Sequence, residues 1–487
     1  MKKLLFVLLL LPVFTFSQTT TWTLLINTND DNKVTDVIEG SMGNLYITGY
    51  SKMVDDIKTS GFVTKLDKTG MNIDSMFIIK SDTSTIITKI ISDTSPTFTI
   101  VSEMNDPSTN HKHCSFSLQR IDTNLNITLS KSYSFPPDYN NQNVNISYGI
   151  NNNIIVFGHI FPYGIPKVFL YETSINFDSI QAKIFLDGGA AFPQQIHQLN
   201  NYGYWLIHGL HSTYIYIDSS LNLVSMGYGE MPKNMPGMST AKWDSDSSFY
   251  FAGDYVMGMN RSTDHDIGFF HQYDPFDSSN AIFNYWGSKD TIDLPSFYGA
   301  LDFKNKDSIF IAGSKNLQYG NVSFGTTPSW YVLLQTDSML NIRWERFYGG
   351  DACYNMTKLI ATNDGGCIMA GTRFDFKAHP WVHERDIYIL KVNAEGLITS
   401  ANGQIAPTVH DAIVYPNPGS NHLKIRIGVQ HKQSTFKLFD MTGRQVLEKH
   451  IEGCKAEINT QFLKSGTYVY TLKNNSGLNE TGKWVKQ

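Results

Sequence analysis

One short pattern recurs seven times and constrains this chain more than any other feature. An apolar run, usually ending in glycine, appears as LYITGY (45–50), FTIVSE (98–103), IIVFGH (154–159), WLIHGL (205–210), YFAGDY (250–255), IFIAGS (309–314) and CIMAGT (367–372). The glycines are Gly49, Gly158, Gly209, Gly253, Gly313 and Gly371, with Ser102 standing in the second copy. Successive positions lie 44 to 60 residues apart. A second pattern follows each copy after a polar stretch of variable length: FVTKLD, FSLQRID, VFLYET, YIYIDS, GFFHQYD, YVLLQTD and IYILKVN. A turn comes next, often with a Leu-Asn or Gly step, and a further strand begins. Each unit therefore holds about four short strands, and a period of roughly 40–50 residues is that of propeller blades.

The sequence predicts an all-β protein: a seven-bladed β-propeller over 18–399, a linker over 400–411 and a small immunoglobulin-like β-sandwich over 412–487. An open solenoid of the same units would need polar capping repeats, and none is seen. TWTLLINTNDD (21–31) resembles IRWERFYGGD ahead of the last copy, and the seventh unit lacks a clear fourth strand. The strand around Trp22–Ile26 is therefore expected to complete the seventh blade and remove two open sheet edges. The recurring glycine fits a place where neighbouring backbone leaves no room for a side chain, or where a bulge is needed.

Composition supports this class. Aromatic residues make up 13% and charged residues only 17%, and the abundant Tyr, Phe, Thr, Ile and Val suit pleated, half-buried surfaces. A net charge of −5 argues against nucleic-acid binding, which needs a basic excess. MKKLLFVLLLLPVFTFSQ reads as a secretory signal: a positive start, an apolar core too short to span a bilayer, and small residues before an expected cleavage between Ser17 and Gln18. No later segment is long and apolar enough to cross a membrane. Four cysteines, Cys114, Cys353, Cys367 and Cys454, are too few in this length for a disulfide framework. Small buried apolar residues is their simpler reading.

TNDGGCIMAGT…DIYILKVNAEGLI resembles the repeats of secreted bacterial propellers, which implies fold and not activity. After 411 the repeat stops. HLKIRI (422–427) alternates as a half-buried strand does, TFKLFDMTGRQVLEKHI (435–451) reads as two strands about a Thr-Gly turn, and AEINTQFLKSGTYVYTLKN (456–474) holds two more before the basic TGKWVKQ. Four motifs recur in order: Tyr415-Pro416-Asn417-Pro418; Asp440 with Gly443 and Arg444; Gly466 with Tyr468; and the closing Lys483 to Lys486. In these the segment resembles the type A C-terminal sorting domain of the type IX secretion system. The resemblance implies export across the outer membrane, with the secretion machinery and a sorting peptidase as partners. It also implies delivery to the cell surface or the extracellular space.

Candidate sites are few. HKHC (111–114) places His111 and His113 on one strand face, as a zinc pair requires, but no second ligand pair is visible; a polar loop entering a strand is the simpler reading. HPWVHERD (379–386) offers His379, Trp381, His383, Glu384 and Arg385 in a loop able to meet a ligand, though not in metalloprotease order. DSDSS (244–248) and NTNDDN (27–32) cluster oxygens that suit calcium, yet neither matches a calcium-binding loop. There is no nucleophile elbow, phosphate loop or dinucleotide fingerprint, so no catalytic residue, metal or cofactor is assigned. The expected function is a binding or scaffold module for glycan or protein acting through propeller-face loops. The alternative is a secreted hydrolase or lyase with its site in the central channel.

Overall fold

Each repeat unit folds as one antiparallel sheet, because its apolar runs are strand-length and its polar steps close hairpins. The computed structural model describes residues 20–53, 56–79, 82–93, 96–107, 114–136, 141–161, 167–186, 193–199, 203–208, 213–228, 237–245, 247–256, 264–288, 291–318, 320–378, 383–399 and 409–487. Sheet one is Asp30–Glu39, Leu45–Met53, Ser60–Leu66 and Asn72–Ile78, in that order. Sheets two to six repeat the order within 84–134, 141–186, 193–228, 237–286 and 292–349. Sheet seven takes Cys353–Ala361, Cys367–Phe374 and Asp386–Val392 from its own unit and Trp22–Ile26 from the start of the chain. Among the described residues these sheets are four-stranded except the sixth, whose innermost strand is divided and which also takes Val409–His410.

The innermost strands touch in cyclic order, from Asp30–Glu39 through Ser84–Ser92 and onward to Cys353–Ala361, which returns to Asp30–Glu39. The fold is an all-β, propeller-like ring. Its closure is the pairing expected from sequence: Trp22 faces Lys391 and Leu25 faces Tyr388 across an antiparallel ladder. Trp22 is 1% exposed, and its indole N–H donates to the Lys68 carbonyl at 3.0 Å. It packs beside Val34, Leu45 and Phe62 of sheet one, which seals the seam between the last and first sheets.

The recurring glycine has a common cause. The innermost strand carries an irregularity in its pairing register in every sheet, for example between Val34 and Asp36, between Ile87 and Lys89, and between Met356 and Lys358. The extra residue bends the strand, and Gly49, Gly158, Gly253 and Gly371 lie beside it on the second strand; Gly209 lies outside the described residues. A Cβ on Gly49 would lie 2.0 Å from the Lys33 carbonyl oxygen, so close approach excludes a side chain. The extra residue in turn reaches the next sheet: Thr35 donates to the Ile87 carbonyl at 2.6 Å, and Thr88 donates to the Val144 carbonyl.

The Leu-Asn step is a second repeated device. Asp67, Asp122, Asp218 and Asp337 each accept backbone N–H groups two and four residues on, closing the outer hairpin. The fourth residue of that turn is left-handed: Leu125, Leu221 and Leu340 have φ near +60°. All three leucines are buried. In sheet one the same place is Gly70, φ +82°, where a Cβ would meet the Trp22 ring at 2.5 Å. The turn residue is a glycine where the neighbouring sheet presents a tryptophan.

Sheet six departs from the pattern. Its innermost strand is split into Ile292–Pro295 and Leu301–Asn305, and the intervening Ser296–Ala300 turns into the channel. The Tyr298 N–H donates to the Thr357 carbonyl at 2.7 Å, and the Leu359 N–H donates to the Gly299 carbonyl at 2.8 Å.

The C-terminal unit is a sandwich of a three-stranded sheet (Ala412–Tyr415, His422–Ile427, Lys455–Asn459) on a four-stranded one (Gln445–Ile451, Ser434–Asp440, Gly466–Lys473, Asn479–Lys486). Phe436, Leu438, Leu423 and Trp484 fill its core. The segment read as a linker is not wholly free of structure: Val409–His410 pairs with the outer strand of sheet six, with Phe347 facing His410, while 400–408 lies outside the described residues. The sandwich sits against sheet six. Arg426 grips the buried Glu345 in a two-point pair, Nε to Oε1 at 3.0 Å and Nη2 to Oε2 at 2.6 Å. The Trp286 indole N–H also donates to Glu345. Lys455 donates to the Gly287 carbonyl at 2.6 Å, and Tyr415 joins the apolar cluster of sheets five and six.

Candidate functional site

The bulged innermost strands converge on a cavity of about 310 Å³. Thr35, Thr88, Asn145, Gln195, Thr240 and Lys358 line it from six sheets, and Phe297–Gly299 lines it from the sixth in chain order. Ile91, Ser147, Lys242 and Ile360 also line it, which places it toward the C-terminal ends of those strands. Much of the neutral polar wall is committed to holding sheets together. Gln195 both donates to and accepts from the Ala241 backbone, at 2.6 and 2.8 Å. Thr240 accepts from the Ala300 N–H at 3.2 Å.

The charged groups are three lysines and two carboxylates. Asp36 pairs with Lys358 at 2.9 Å and with Lys89 at 3.1 Å. Lys242 pairs with Asp302 at 2.9 Å, whose two oxygens also accept the N–H groups of Phe303 and Ala361. Burial works to raise the Asp36 carboxyl, but Lys358 and Lys89 together hold it below the ordinary carboxylate range. Burial, with the neighbouring Lys358 charge, pushes Lys89 down to about 8 against the pull of Asp36. Both carboxylates are thus paired with ammonium groups, and Asp36 is held in its ionised form.

Around Tyr298 the charges differ. Lys33 lies 5.5 Å from the ring centroids of both Phe297 and Tyr298. Burial, and then the Arg385 charge, lower Lys33 to about 8. Burial pushes Glu103 up to about 7, although its carboxylate accepts the Val144 N–H at 2.6 Å. Sequence reading did not single out Glu103, Lys33 or Tyr298, because no motif surrounds them and only ring closure gathers them.

Two sequence candidates meet unexpectedly. Asp31 of NTNDDN and Arg385 of HPWVHERD form a two-point pair at 2.5 and 2.6 Å. This pair and the Asn32 N–H on the Arg385 carbonyl stitch sheet seven to sheet one. Both Asp31 oxygens are engaged by Arg385. Arg385 and His383 both pack on the Phe324 ring. His379 and Trp381 lie outside the described residues, as do His111, His113, Ser17 and Gln18. In DSDSS, Asp244 pairs with Lys306 at 3.0 Å and Ser248 bonds His271 at 2.8 Å. Among the described residues no cluster of three metal-ligating side chains occurs, and no helix is long and apolar enough to cross a membrane. The four cysteines are thiols, three of them buried.

The sorting motifs, scattered over seventy residues of sequence, gather at one end of the sandwich. The Pro416 carbonyl accepts the Trp484 indole N–H at 2.9 Å. Asn417 donates to the Lys483 carbonyl at 2.8 Å and accepts from the Val485 N–H at 3.0 Å, with Pro418 following in the same turn. Gly466 faces Lys486, and Tyr468 lies between Trp484 and Asp440 in the ladder. Asp440 accepts N–H groups from Thr442 and Arg444 at 3.0 and 3.1 Å around Gly443, φ +82°. Tyr415 points away from this end, beneath Lys315 at 5.1 Å.

Comparison with known proteins bears on this last unit. No curated protein sequence matches the chain. Among solved structures, the polysaccharide lyase Uly1 is 10% identical over 74% of this chain and 90% of its own, with a TM-score of 0.42. The α-L-arabinofuranosidase Arb93A from Fusarium graminearum is 10% identical over 78% and 99%, TM-score 0.39. A protein of unknown function from Bacteroides caccae is 12% identical over 65% and 93%, TM-score 0.37. At these scores the architecture rests on the strand pairing itself. The family model of the secretion system C-terminal sorting domain matches residues 413–487. That segment is a type IX sorting domain, and the chain that carries it is cargo exported to the cell surface or the extracellular space.

Proposed function

We propose that this cargo is a seven-bladed binding module delivered to the cell exterior, and that it takes a glycan or protein ligand at the channel cavity and its mouth. The supporting observation is the state of the cavity carboxylates. Asp36 and Asp302 are both tied to lysines, whereas a glycosidase needs one carboxyl held protonated opposite a second, ionised one. The sorting motifs at the free end of the sandwich serve recognition by the export machinery and its peptidase.

The test is retention of soluble polysaccharides and surface proteins on the immobilised full chain, with reducing ends and unsaturated products measured in the same samples. Retention without products fits binding. Product release abolished by Glu103→Gln favours a hydrolase or lyase instead. That second reading draws on Glu103, raised to about 7 and close enough to Tyr298 to influence it, a pairing that suits proton transfer at neutral pH.

A further inference from the structure

The cavity holds an asymmetry that bears on what it can recognise. Most of its neutral donors are already used. The Thr35 and Thr88 hydroxyls donate to carbonyls of the next sheet, the Gln195 amide is clamped on Ala241, and the Asn145 amide donates to the Asn143 carbonyl at 3.2 Å. A sugar hydroxyl pattern is read by such groups, and here they are spent on the backbone. The ammonium groups differ. Each carries three N–H donors; Lys89 and Lys242 each spend one on a carboxylate and remain partly exposed, at 27% and 42% of the side chain.

The charge count points the same way. Lys89, Lys242, Lys358 and Asp302 line the cavity; Asp36 pairs with Lys89 and Lys358, and Lys33 and Glu103 act on the Tyr298 side. Among the three lysines and the two carboxylates paired with them, one positive charge is left over at a concave wall, where it acts more strongly than on an open surface. Phe297 and Tyr298 add an aromatic side to the cavity.

We infer that the cavity is a site for a compact oxyanion, the carboxylate or sulfate of an acidic oligosaccharide, held by the ammonium groups that line it, Lys89 and Lys242 among them. This rests on the binding reading and names its ligand class. Burial and Lys358 make Lys89 easier to deprotonate than an ordinary lysine, with a value of about 8, and an oxyanion restores the charge balance. Affinity is therefore highest below pH 8 and falls as Lys89 loses its proton.

The test is titration calorimetry of the full chain with an oligogalacturonate, a sulfated oligosaccharide, a neutral oligosaccharide of equal length and inorganic sulfate. The acidic oligosaccharides are expected to bind, with affinity falling about tenfold between pH 7 and pH 9 as a group of that pKa titrates. Lys242→Gln is expected to weaken binding at least tenfold. It leaves Asp302 with two backbone N–H partners, so the ring folds. Equal binding of the neutral oligosaccharide, indifferent to Lys242→Gln and to pH, overturns the anion inference while the binding reading stands. Inorganic sulfate matching the oligosaccharides mole for mole overturns the saccharide part. No binding of any probe, together with product release, overturns both.

Discussion

Removing the Arg426 side chain tests how the sorting domain is held on the propeller. Glu345 is fully buried, and its carboxylate is satisfied by Arg426 at 3.0 and 2.6 Å and by the Trp286 indole. Arg426 itself stacks over Trp286 at 5.0 Å, so neither charge meets water. In Arg426→Ala the carboxylate keeps one neutral donor in a dry pocket. Breaking a buried pair by removing one partner costs about 3–5 kcal/mol, a factor of roughly 10²–10³ or more in a docking equilibrium. Lifting the sandwich away lets water reach Glu345 and relieves that cost. The expected result is undocking with both units still folded. Hydrogen exchange should quicken along Ile342–Gly349 and at Val409–His410, and the radius of gyration should grow, while the sandwich core around Trp484 stays protected. The double variant Glu345→Gln, Arg426→Met removes both charges and should restore docking to within about 1–2 kcal/mol, as apolar replacements of buried pairs do. Unchanged exchange along Ile342–Gly349 in Arg426→Ala would refute the reasoning.

Three further outcomes are expected. Trp22→Ala removes the ring that seals the seam and its bond to Lys68; it should cost about 3–5 kcal/mol and appear as a lower urea midpoint for the whole ring. Gly49→Val forces a Cβ against the Lys33 carbonyl and should cost about 3 kcal/mol, read in the same assay. Glu103 keeps its proton to about pH 7 when folded and releases it near its ordinary 4.5 when unfolded. The folded state therefore binds the extra proton between those values, and stability falls as pH rises through that window. Glu103→Gln should flatten this slope and raise stability at pH 8 by up to about 3 kcal/mol, with little change at pH 4.

The periodic parts of this molecule were legible because they repeat. Strand-length apolar runs, a recurring glycine and a recurring turn signal let the sheets be read, and the resemblance of TWTLLINTNDD to a later strand placed Trp22 against the last sheet. The sandwich strands were legible from alternation. What escaped was non-periodic. DLPSFYGALDF carries a proline and a glycine inside a strand pattern, which signals a break, but nothing local says that Phe297 and Tyr298 turn into the channel. Glu345 and Arg426 sit 81 positions apart on strands that otherwise look half-buried, and each charge is acceptable only because of the other. Glu103 likewise resembles any surface glutamate until Val144 and Tyr298 arrive beside it. Buried charge is a property of assembled neighbours, and a linear pattern does not carry it.

Ring closure by the first described strand has a consequence for assembly. Among the described residues Trp22–Ile26 pairs with Asp386–Val392 alone, and Thr399 closes back on Thr21 across 378 positions. A chain emerging from its N-terminus must hold that strand in waiting until the last sheet exists, so the final join is also the most distant one. Interrupted chains keep raw edges that invite pairing with other molecules. Because the sorting domain lies after the last sheet in the chain, a chain displays its address only after every part of the wheel has been made.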